Sequence, residues 1–171
     1  RRRLGRAAME AAARRARYAA LAAALAPGDI LLTAHHCDDQ AETVLLQLLR
    51  GTGIAGLAAM PAQADFGPGR IVRPLLGFSR AALHACAQEH RLLWIEDPTN
   101  QALHLRRSFL RTEILPRLAR HWPAHASLLA RTVRHAAEAM ELLDAVAEAD
   151  LAACRQAVAH SPQALSINAL L

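Results

Sequence analysis

Two histidines and three carboxylates stand close together in the first third of this chain. His35 and His36 are followed by Asp38 and Asp39, and Glu42 comes three residues after Asp39. If a helix begins here, spacings of three and four residues place all the carboxylates on one side of its first turn. The positive end of the helix dipole keeps such carboxylates ionised. Ionised carboxylates beside imidazoles can transfer a proton, or bind an ammonium group or a magnesium ion.

The elements around this cluster predict where it lies. We expect a helix over 4–26, a short buried strand over 29–35, and a second helix from Asp38 to about Arg50. The cluster then follows the carboxyl end of a strand, which is where α/β sheets bind ligands. Any single residue of the cluster could instead have a structural role, as a helix cap or as a well-paired histidine. The cluster as a whole could instead be a metal site built from protein ligands.

A second group of candidate residues ends the predicted helix. Arg50 is followed by Gly51, Thr52 and Gly53. The backbone N–H groups of such small residues, together with a guanidinium, could bind a phosphate. The simpler interpretation is a helix stop, because glycine readily takes the left-handed conformation of a helix C-terminus.

A third group lies further along the chain. Asp97 and Asn100 occupy an acidic turn after a short extended segment, 92–95, and Arg107 and Arg111 follow four residues apart. On a helix that spacing puts both guanidinium groups on one face, where they could hold a phosphate or a developing negative charge. A solvated arginine face is the alternative.

The remaining pattern predicts an α/β fold followed by a helical region. A loop is expected over 63–69, a short strand over 70–76 that Pro74 confines to an edge or an end, and helices over 79–90, 106–119 and 125–159. The low strand content predicts only the distal part of a doubly wound parallel sheet. We expect an α/β domain over 1–122 and a helical linker over 123–171 that begins an RNA-binding region.

Composition narrows the classes of function. The chain has 171 residues, a net charge of +5 and 20 basic residues, all of them arginine, which favours a polyanionic partner. Aromatic residues make up only 4%, which argues against a single-strand binder built on stacking platforms. No apolar stretch approaches the ~20 residues of a membrane span. The three cysteines are widely spaced, which argues against a zinc ribbon and fits a reducing cytoplasm.

Taken in order, these motifs resemble the tRNA(Ile)-lysidine synthetase family of the PP-loop ATP-pyrophosphatase superfamily. The matching stretches are Glu10–Tyr18, Ala34–Thr43, Arg50–Ile54, Arg73–Leu76, Trp94–Asn100 and Arg107–Arg111. The most specific is the His-His-x-Asp-Asp-Gln-x-Glu-Thr string with its Arg-Gly-Thr-Gly tail. The resemblance implies an adenine nucleotide alpha hydrolase-like α/β fold.

The resemblance also implies a two-step reaction. ATP activates the C2 carbonyl of the wobble cytidine of an isoleucine tRNA as an adenylate, and the side-chain amine of free lysine then displaces AMP to give lysidine. Mg²⁺ would accompany the triphosphate. A bacterial cytoplasmic enzyme, with a homodimer as one possible assembly and no membrane partner, is the expected setting.

Three sets of site residues follow from this resemblance. The expected catalytic residues are His35, His36, Asp38, Asp39, Glu42 and Arg107. The expected ATP-binding residues are Arg50, Gly51, Thr52 and Gly53. The expected lysine- or tRNA-binding residues are Arg14, Arg17, Asp97, Asn100 and Arg111. A carboxylate would hold the ammonium of lysine and help remove its proton, because an attacking amine must be neutral.

The sequence departs from the family pattern in three respects. The Ser-Gly-Gly-x-Asp-Ser loop that binds ATP phosphates in the family has no match here, and we expect it upstream of Arg1. Ser108 stands where the family usually has Asn, and the family's further C-terminal domains have no counterpart before Leu171. We therefore expect a partial chain that cannot adenylate by itself.

Three other functions remain open. A PP-loop tRNA 2-thiolation enzyme would use paired cysteines, which Cys37, Cys86 and Cys154 do not supply in sequence. A metal-dependent hydrolase would use the histidines and aspartates at 35–39. A non-catalytic RNA-binding helical module would depend on the arginines alone, and a change of Asp39 to Asn would then leave its function unchanged.

Overall fold

The computed structural model describes residues 6–95 and 106–156. Its elements, in chain order, are α1 (Arg6–Ala23), β1 (Ile30–Leu32), α2 (Cys37–Leu48), α3 (Ile54–Leu57), β2 (Gln63–Phe66), β3 (Gly69–Val72), α4 (Arg80–Glu89), α5 (Arg106–Phe109), a π-helical turn (Leu110–Ile114), α6 (Leu115–His121) and α7 (His125–Gln156). The long predicted helices are therefore confirmed, with ends that differ by a few residues. Within these ranges, no helix combines the length and the apolar character needed to cross a membrane.

The three strands form one small sheet in the order β1-β3-β2. β1 and β3 are parallel, with Ile30 opposite Arg70 and Leu32 opposite Val72. Parallel neighbours require a crossover connection, and α2 lies in the connection between these two strands. The predicted α/β class is confirmed at this level, as a strand–helix–strand unit followed by a helical region.

The segment predicted as a loop is partly a strand, so that prediction was wrong. β2 runs antiparallel to β3, with Gln63 opposite Val72 and Phe66 opposite Gly69. Its side chains alternate between exposed and half-buried, as in a strand with one packed face. Gly67, at φ +57°, and Pro68 form the two-residue connection. Glycine and proline here mark the turn of a hairpin, not an unstructured loop.

β1 is shorter and more exposed than predicted. It spans Ile30–Leu32, and the side chains of Ile30 and Leu32 are 59% and 66% exposed. The expectation of a buried strand over 29–35 was therefore wrong. β1 lies at the edge of the sheet that residues 6–95 form, so no strand of that sheet covers its other side. The strand predicted over 70–76 is shorter, since β3 ends at Val72, and it lies in the centre of the sheet and not at an edge; Pro74 lies just beyond its end.

The apolar core lies between α2, the π-helical turn and the first half of α7. Ala41 and Val44 of α2 are fully buried, and Leu110 and Val133 are nearly so. α2 therefore packs against the long helix on one side while its first turn faces the carboxyl end of β1. The domain boundary near residue 122 stays a prediction; α6 ends at His121 and α7 begins at His125.

α5, the π-helical turn and α6 form one continuous helical segment. In its middle the N–H of Leu115 donates to the carbonyl of Leu110, five residues back. Both side chains are buried, at 4% and 6% exposure. Five steps of an ordinary α-helix would set them about 140° apart. The wider π turn brings both towards the core, and this is why the segment departs from the regular helix predicted over 106–119.

Candidate active site

α2 begins at the histidine–aspartate cluster because the residues there cap it. His36 is the N-cap, with an extended backbone at φ −127°, and its N–H donates to Oδ2 of Asp39 at 3.0 Å. The next N–H, from Cys37, donates to the carbonyl of Phe78 at 2.9 Å. The predicted start of this helix at Asp38 was one residue late, because Cys37 is its first residue. Asp38 and Asp39 lie in the first turn, where carboxylates favour the positive end of the helix dipole.

Asp38 joins the starts of two helices. Its Oδ2 accepts a hydrogen bond from the N–H of Arg80, the first residue of α4, at 2.8 Å. Ser79 caps the same helix, with Oγ accepting from the N–H of Ala82 at 3.1 Å. The Asp38 side chain is 32% exposed and faces an open groove of about 480 Å³. The groove is lined by Asp38, Arg80, Ala81, His84, Ala85 and Gln88.

Glu42 and Arg111 form a buried ion pair. The Nε of Arg111 donates to Oε1 of Glu42 at 2.6 Å, and its Nη2 donates to Oε2 at 3.1 Å. Nη2 also lies 3.4 Å from Oδ1 of Asp39. Glu42 has no solvent exposure, whereas the side chain of Arg111 is 28% exposed. The hydrogen bond to Glu42 is the main reason that the pKa of Arg111 is raised. Glu42 is therefore held by a guanidinium and does not face a substrate.

Arg107 reaches the same helix one turn further on. Its Nη2 donates to Oγ1 of Thr43 at 2.9 Å, and Thr43 donates in turn to the backbone carbonyl of Asp39 at 2.7 Å. Arg107 and Arg111 thus bind α2 from one face of their own helical segment, as their spacing predicted. Arg107 is half-buried, and the hydrogen bond to Thr43 is the side-chain hydrogen bond that it makes within residues 6–95 and 106–156.

Gln40 fixes the far side of α2. Its Nε2 donates to the carbonyl of Met60 at 2.6 Å, and its Oε1 accepts from the N–H of Met60 at 3.1 Å. Gln40 is 5% exposed, so both hydrogen bonds are buried. Gln40 and Thr43 belong to the histidine–aspartate motif, but no role was predicted for either residue. A glutamine and a threonine on a helix that is otherwise packed into an apolar core were the available signal.

His35 is a half-buried imidazole in the segment between β1 and α2. Its Nδ1 lies 2.9 Å from Oγ1 of Thr33. Burial is the main cause that lowers the pKa of His35; the charge of Asp39 opposes this effect, while Arg73, Arg107 and Arg14 add to it. The imidazole is therefore neutral near pH 7. It can exchange a hydrogen bond with a ligand without adding to the positive charge around it.

His36 lies between the two aspartates. Its Nδ1 is 3.6 Å from Oδ2 of Asp38, and its Nε2 is 3.5 Å from Oδ2 of Asp39. Both distances exceed those of good hydrogen bonds. Nδ1 is buried and has no hydrogen-bond partner among residues 6–95 and 106–156. The geometry makes His36 a capping residue of α2 that contacts both carboxylates.

The structure brings together most of the predicted catalytic residues but separates the predicted ATP-binding stretch from them. Arg50–Gly53 follows the other end of α2, about 18 Å away for twelve residues at ~1.5 Å each. The N–H groups of Arg50, Gly51 and Thr52 already donate to carbonyls of the last turn. Gly51, at φ +71°, terminates the helix. Its role towards ATP stays a prediction.

The other predicted substrate residues lie elsewhere. Arg14 stacks on Tyr18 of α1, with its guanidinium carbon 4.8 Å from the ring centre, and it is close enough to His35 to affect that pKa. Arg17 lies 6.0 Å from the same ring. Both arginine side chains are exposed. Asp97 and Asn100 fall outside the residues that the structure describes.

The carboxylates of this corner do not fit a metal site. Asp38 accepts from Arg80, Asp39 from His36 and Arg111, and Glu42 from Arg111. In the part of the chain for which placements are given, no three His, Cys, Asp or Glu residues are grouped so that they could hold a metal ion. These ranges therefore offer no donor set for the metal-dependent hydrolase or for a protein-bound Mg²⁺.

Comparison with known proteins identifies the family. Residues 2–118 match the family model described as "PP-loop domain". Proteins named tRNA(Ile)-lysidine synthase from Pseudomonas aeruginosa and Methylococcus capsulatus are each 57% identical over 86% of this chain. The protein of that name from Pectobacterium atrosepticum is 52% identical over 95% of it. The alignments cover 34% to 36% of the relatives, so the chain spans about a third of their length. A PP-loop domain implies an adenine nucleotide alpha hydrolase-like α/β fold, with which the strand–helix–strand unit agrees. This chain belongs to the PP-loop domain family.

Proposed function

We propose that this chain is part of a tRNA(Ile)-lysidine synthase, which uses ATP to attach lysine to C2 of the wobble cytidine of an isoleucine tRNA. The observation that carries the proposal is 57% identity to proteins of that name over 86% of the chain. The site supports it because the distant motifs meet at one corner, where Arg107 and Arg111 bind α2. The chain then supplies the distal part of a doubly wound sheet and the start of a helical region.

Within this proposal the carboxylates divide into two roles. Glu42 and Asp39 are positioning residues, because Arg111 occupies their oxygens. Asp38 faces the open groove and is the carboxylate that Arg111 does not hold. Asp38 therefore binds the ammonium of lysine and accepts its proton, after which the neutral amine attacks C2 and AMP leaves. This replaces our broader expectation that any of the three could do so.

Arg107 and His35 contact the nucleotide in this proposal. Arg107 holds Thr43 with one nitrogen and offers its remaining N–H groups to phosphate oxygens. The neutral His35 contacts the nucleotide or the charge that develops at C2. Mg²⁺ that accompanies the triphosphate stays a prediction, because residues 6–95 and 106–156 offer no donor set of their own for it. A reaction on tRNA with ATP implies the bacterial cytoplasm, and a homodimer stays a prediction.

The test is lysine incorporation by the product of the complete gene. We expect ATP-dependent transfer of labelled lysine to an isoleucine tRNA transcript. Asp38→Asn should lower kcat/KM for lysine about 10- to 100-fold. This fold-change corresponds to the loss of one hydrogen bond to a charged group, which is worth about 1.5–3 kcal/mol. The Asn oxygen can still accept from the N–H of Arg80, so the loss reports the missing charge.

The matched control is Asp65→Asn. Asp65 is 96% exposed on β2 and contacts only Arg70, at 3.9 Å, among the ion pairs found in the described ranges. It should leave the rate unchanged. A complete protein that transfers no lysine would refute the proposed function. Equal rates for the two variants would refute the role of Asp38. Full lysine transfer by Asp39→Asn would refute the positioning role of Asp39, whereas binding of the tRNA without any lysine transfer would favour the RNA-binding module.

A further inference from the structure

Arg73 is a buried cation that the reaction outlined above does not use. It follows β3 directly and is 8% exposed. Its Nη1 donates to the carbonyl of Pro61 at 2.7 Å. Its Nε is buried without a hydrogen-bond partner, and no carboxylate forms an ion pair with it, within residues 6–95 and 106–156. A guanidinium has five N–H donors, and among the described residues the side chain of Arg73 uses one of them, on Nη1, while its Nε–H has no acceptor.

The position of Arg73 is that of a ligand-binding residue. β1 and β3 are neighbouring parallel strands, and the N–H of Thr33 donates to the carbonyl of Val72 at 3.0 Å. Arg73 and His35 therefore leave the sheet at the same edge, beyond the carboxyl ends of both strands. Ligands of open α/β sheets bind at that edge.

Three guanidinium groups act on this edge. Burial is the first cause of the lowered pKa of His35, and the charges of Arg73, Arg107 and Arg14 lower it further. Asp39 opposes them, but its oxygens are committed to His36 and Arg111. The neutral imidazole thus lies in a locally positive environment. A buried charge is unfavourable unless it is paired, so this environment favours an anion.

We infer that Arg73, together with His35 and Arg107, binds a phosphate group of a small nucleotide or of pyrophosphate. Guanidinium groups bind phosphate oxygens in pairs through their planar N–H fork. At 8% exposure Arg73 is accessible to a small anion but not to the backbone of a folded RNA. The choice of a nucleotide rests on the proposed function, whereas phosphate binding itself rests on the burial of Arg73, on its Nε without a partner among the described residues, and on its place at the carboxyl edge of the sheet.

The experiment uses the 171-residue chain with inorganic pyrophosphate and with AMP as separate probes. Calorimetric titration should show saturable binding. Arg73→Gln should weaken it at least tenfold, because a charge-assisted hydrogen bond is worth about 1.5–3 kcal/mol. The control is Arg70→Gln, at the other end of the same strand, where the side chain is 64% exposed. It should bind both probes like the wild type.

A wild-type measurement protects the test against a variant that fails to fold. The Nε–H signal of Arg73 in nitrogen-labelled protein should shift as pyrophosphate is added and should stop shifting at saturation. Tighter binding of AMP than of pyrophosphate would assign the site to a nucleotide phosphate, and the reverse would assign it to pyrophosphate; either result supports the inference.

Two results would overturn the inference. One is an unmoved Nε–H signal, or no saturable binding of either probe. The other is a folded Arg73→Gln variant that binds the probes as tightly as Arg70→Gln does. Arg73 would then be left with a structural role, the hydrogen bond to the carbonyl of Pro61. Failure of anion binding with intact lysine transfer would remove this site alone. Anion binding without lysine transfer would remove the proposed function alone.

Discussion

The ion pair between Glu42 and Arg111 should respond very differently to the loss of one partner or the other. Arg111→Met removes both hydrogen bonds, of 2.6 and 3.1 Å, from a carboxylate with no exposure to solvent. Glu42→Gln leaves Arg111 with its 3.4 Å contact to Asp39 and with 28% of its side chain exposed to water. Arg111→Met leaves the buried charge of Glu42 without a partner, whereas Glu42→Gln leaves the charge of Arg111, which water can still reach.

The expected free energies follow from this asymmetry. Removing one partner of a buried pair and leaving the other charge uncompensated costs about 3–5 kcal/mol. Losing hydrogen bonds to a partly exposed guanidinium costs about 1–3 kcal/mol. Arg111→Met should therefore destabilise the fold by about 2 kcal/mol more than Glu42→Gln. The double variant should be less destabilised than Arg111→Met alone, because it leaves no buried charge.

Urea unfolding followed by circular dichroism measures these differences, since helices make up most of the described structure. With a denaturant slope of about 2 kcal/mol per molar, a loss of about 4 kcal/mol lowers the midpoint by about 2 M. Equal midpoints for the two single variants, or a double variant less stable than Arg111→Met, would show that the burial of Glu42 does not govern the energetics of this corner.

Two further predictions concern neighbouring residues. The pKa of His35 in the folded protein is lowered from its ordinary 6.5. Between that lower pKa and 6.5, the unfolded chain therefore binds more protons than the folded protein. The free energy of unfolding should fall as the pH drops through this window. His35→Gln should remove that part of the slope in urea midpoints taken across the window, and an unchanged slope would contradict the assignment. Gln40→Leu should cost about 2–4 kcal/mol, because it strands the buried N–H and C=O of Met60. As a control, Gln88→Leu on the exposed α4 should change the free energy of unfolding by no more than about 0.5 kcal/mol, measured in the same thermal or urea melt. A Gln40→Leu variant as stable as Gln88→Leu would refute the role given to the Gln40 amide.

Much of the site was predictable because its residues are close in sequence and share one helix. The spacing of Asp39 and Glu42 placed them on one side of α2, and Arg107 and Arg111 shared a face, as i, i+4 geometry requires. The resemblance to a known family added what spacing alone did not show, that residues from both helices belong to one active site. What neither indicated is that Arg111 takes up the oxygens of Glu42, because pairing between distant residues depends on tertiary packing.

Other elements escaped prediction for physical reasons that can be named. Gly67 and Pro68 suggest a loop equally well as a hairpin turn, and only the pairing with β3 decides between them. Leu48 and Leu49 continue the apolar pattern of α2, but they are 50% and 78% exposed within the residues that the structure describes. A hydrophobic pattern reports which face can be buried and not which partner is present to bury it.

The π-helical turn lies between the arginines of the site and Leu115 of the hydrophobic core. Arg107 and Arg111 precede or lie within the turn, whereas Leu115 follows it. If Thr112 were deleted, Leu115 would follow Leu110 by four residues, and four residues of a regular α-helix set side chains only about 40° apart. Leu110 and Leu115 would therefore both still face the core, and Arg107 and Arg111, which come before the deletion, would keep their places. The turn thus holds one surplus residue without changing which face of the segment meets α2 and which meets the core.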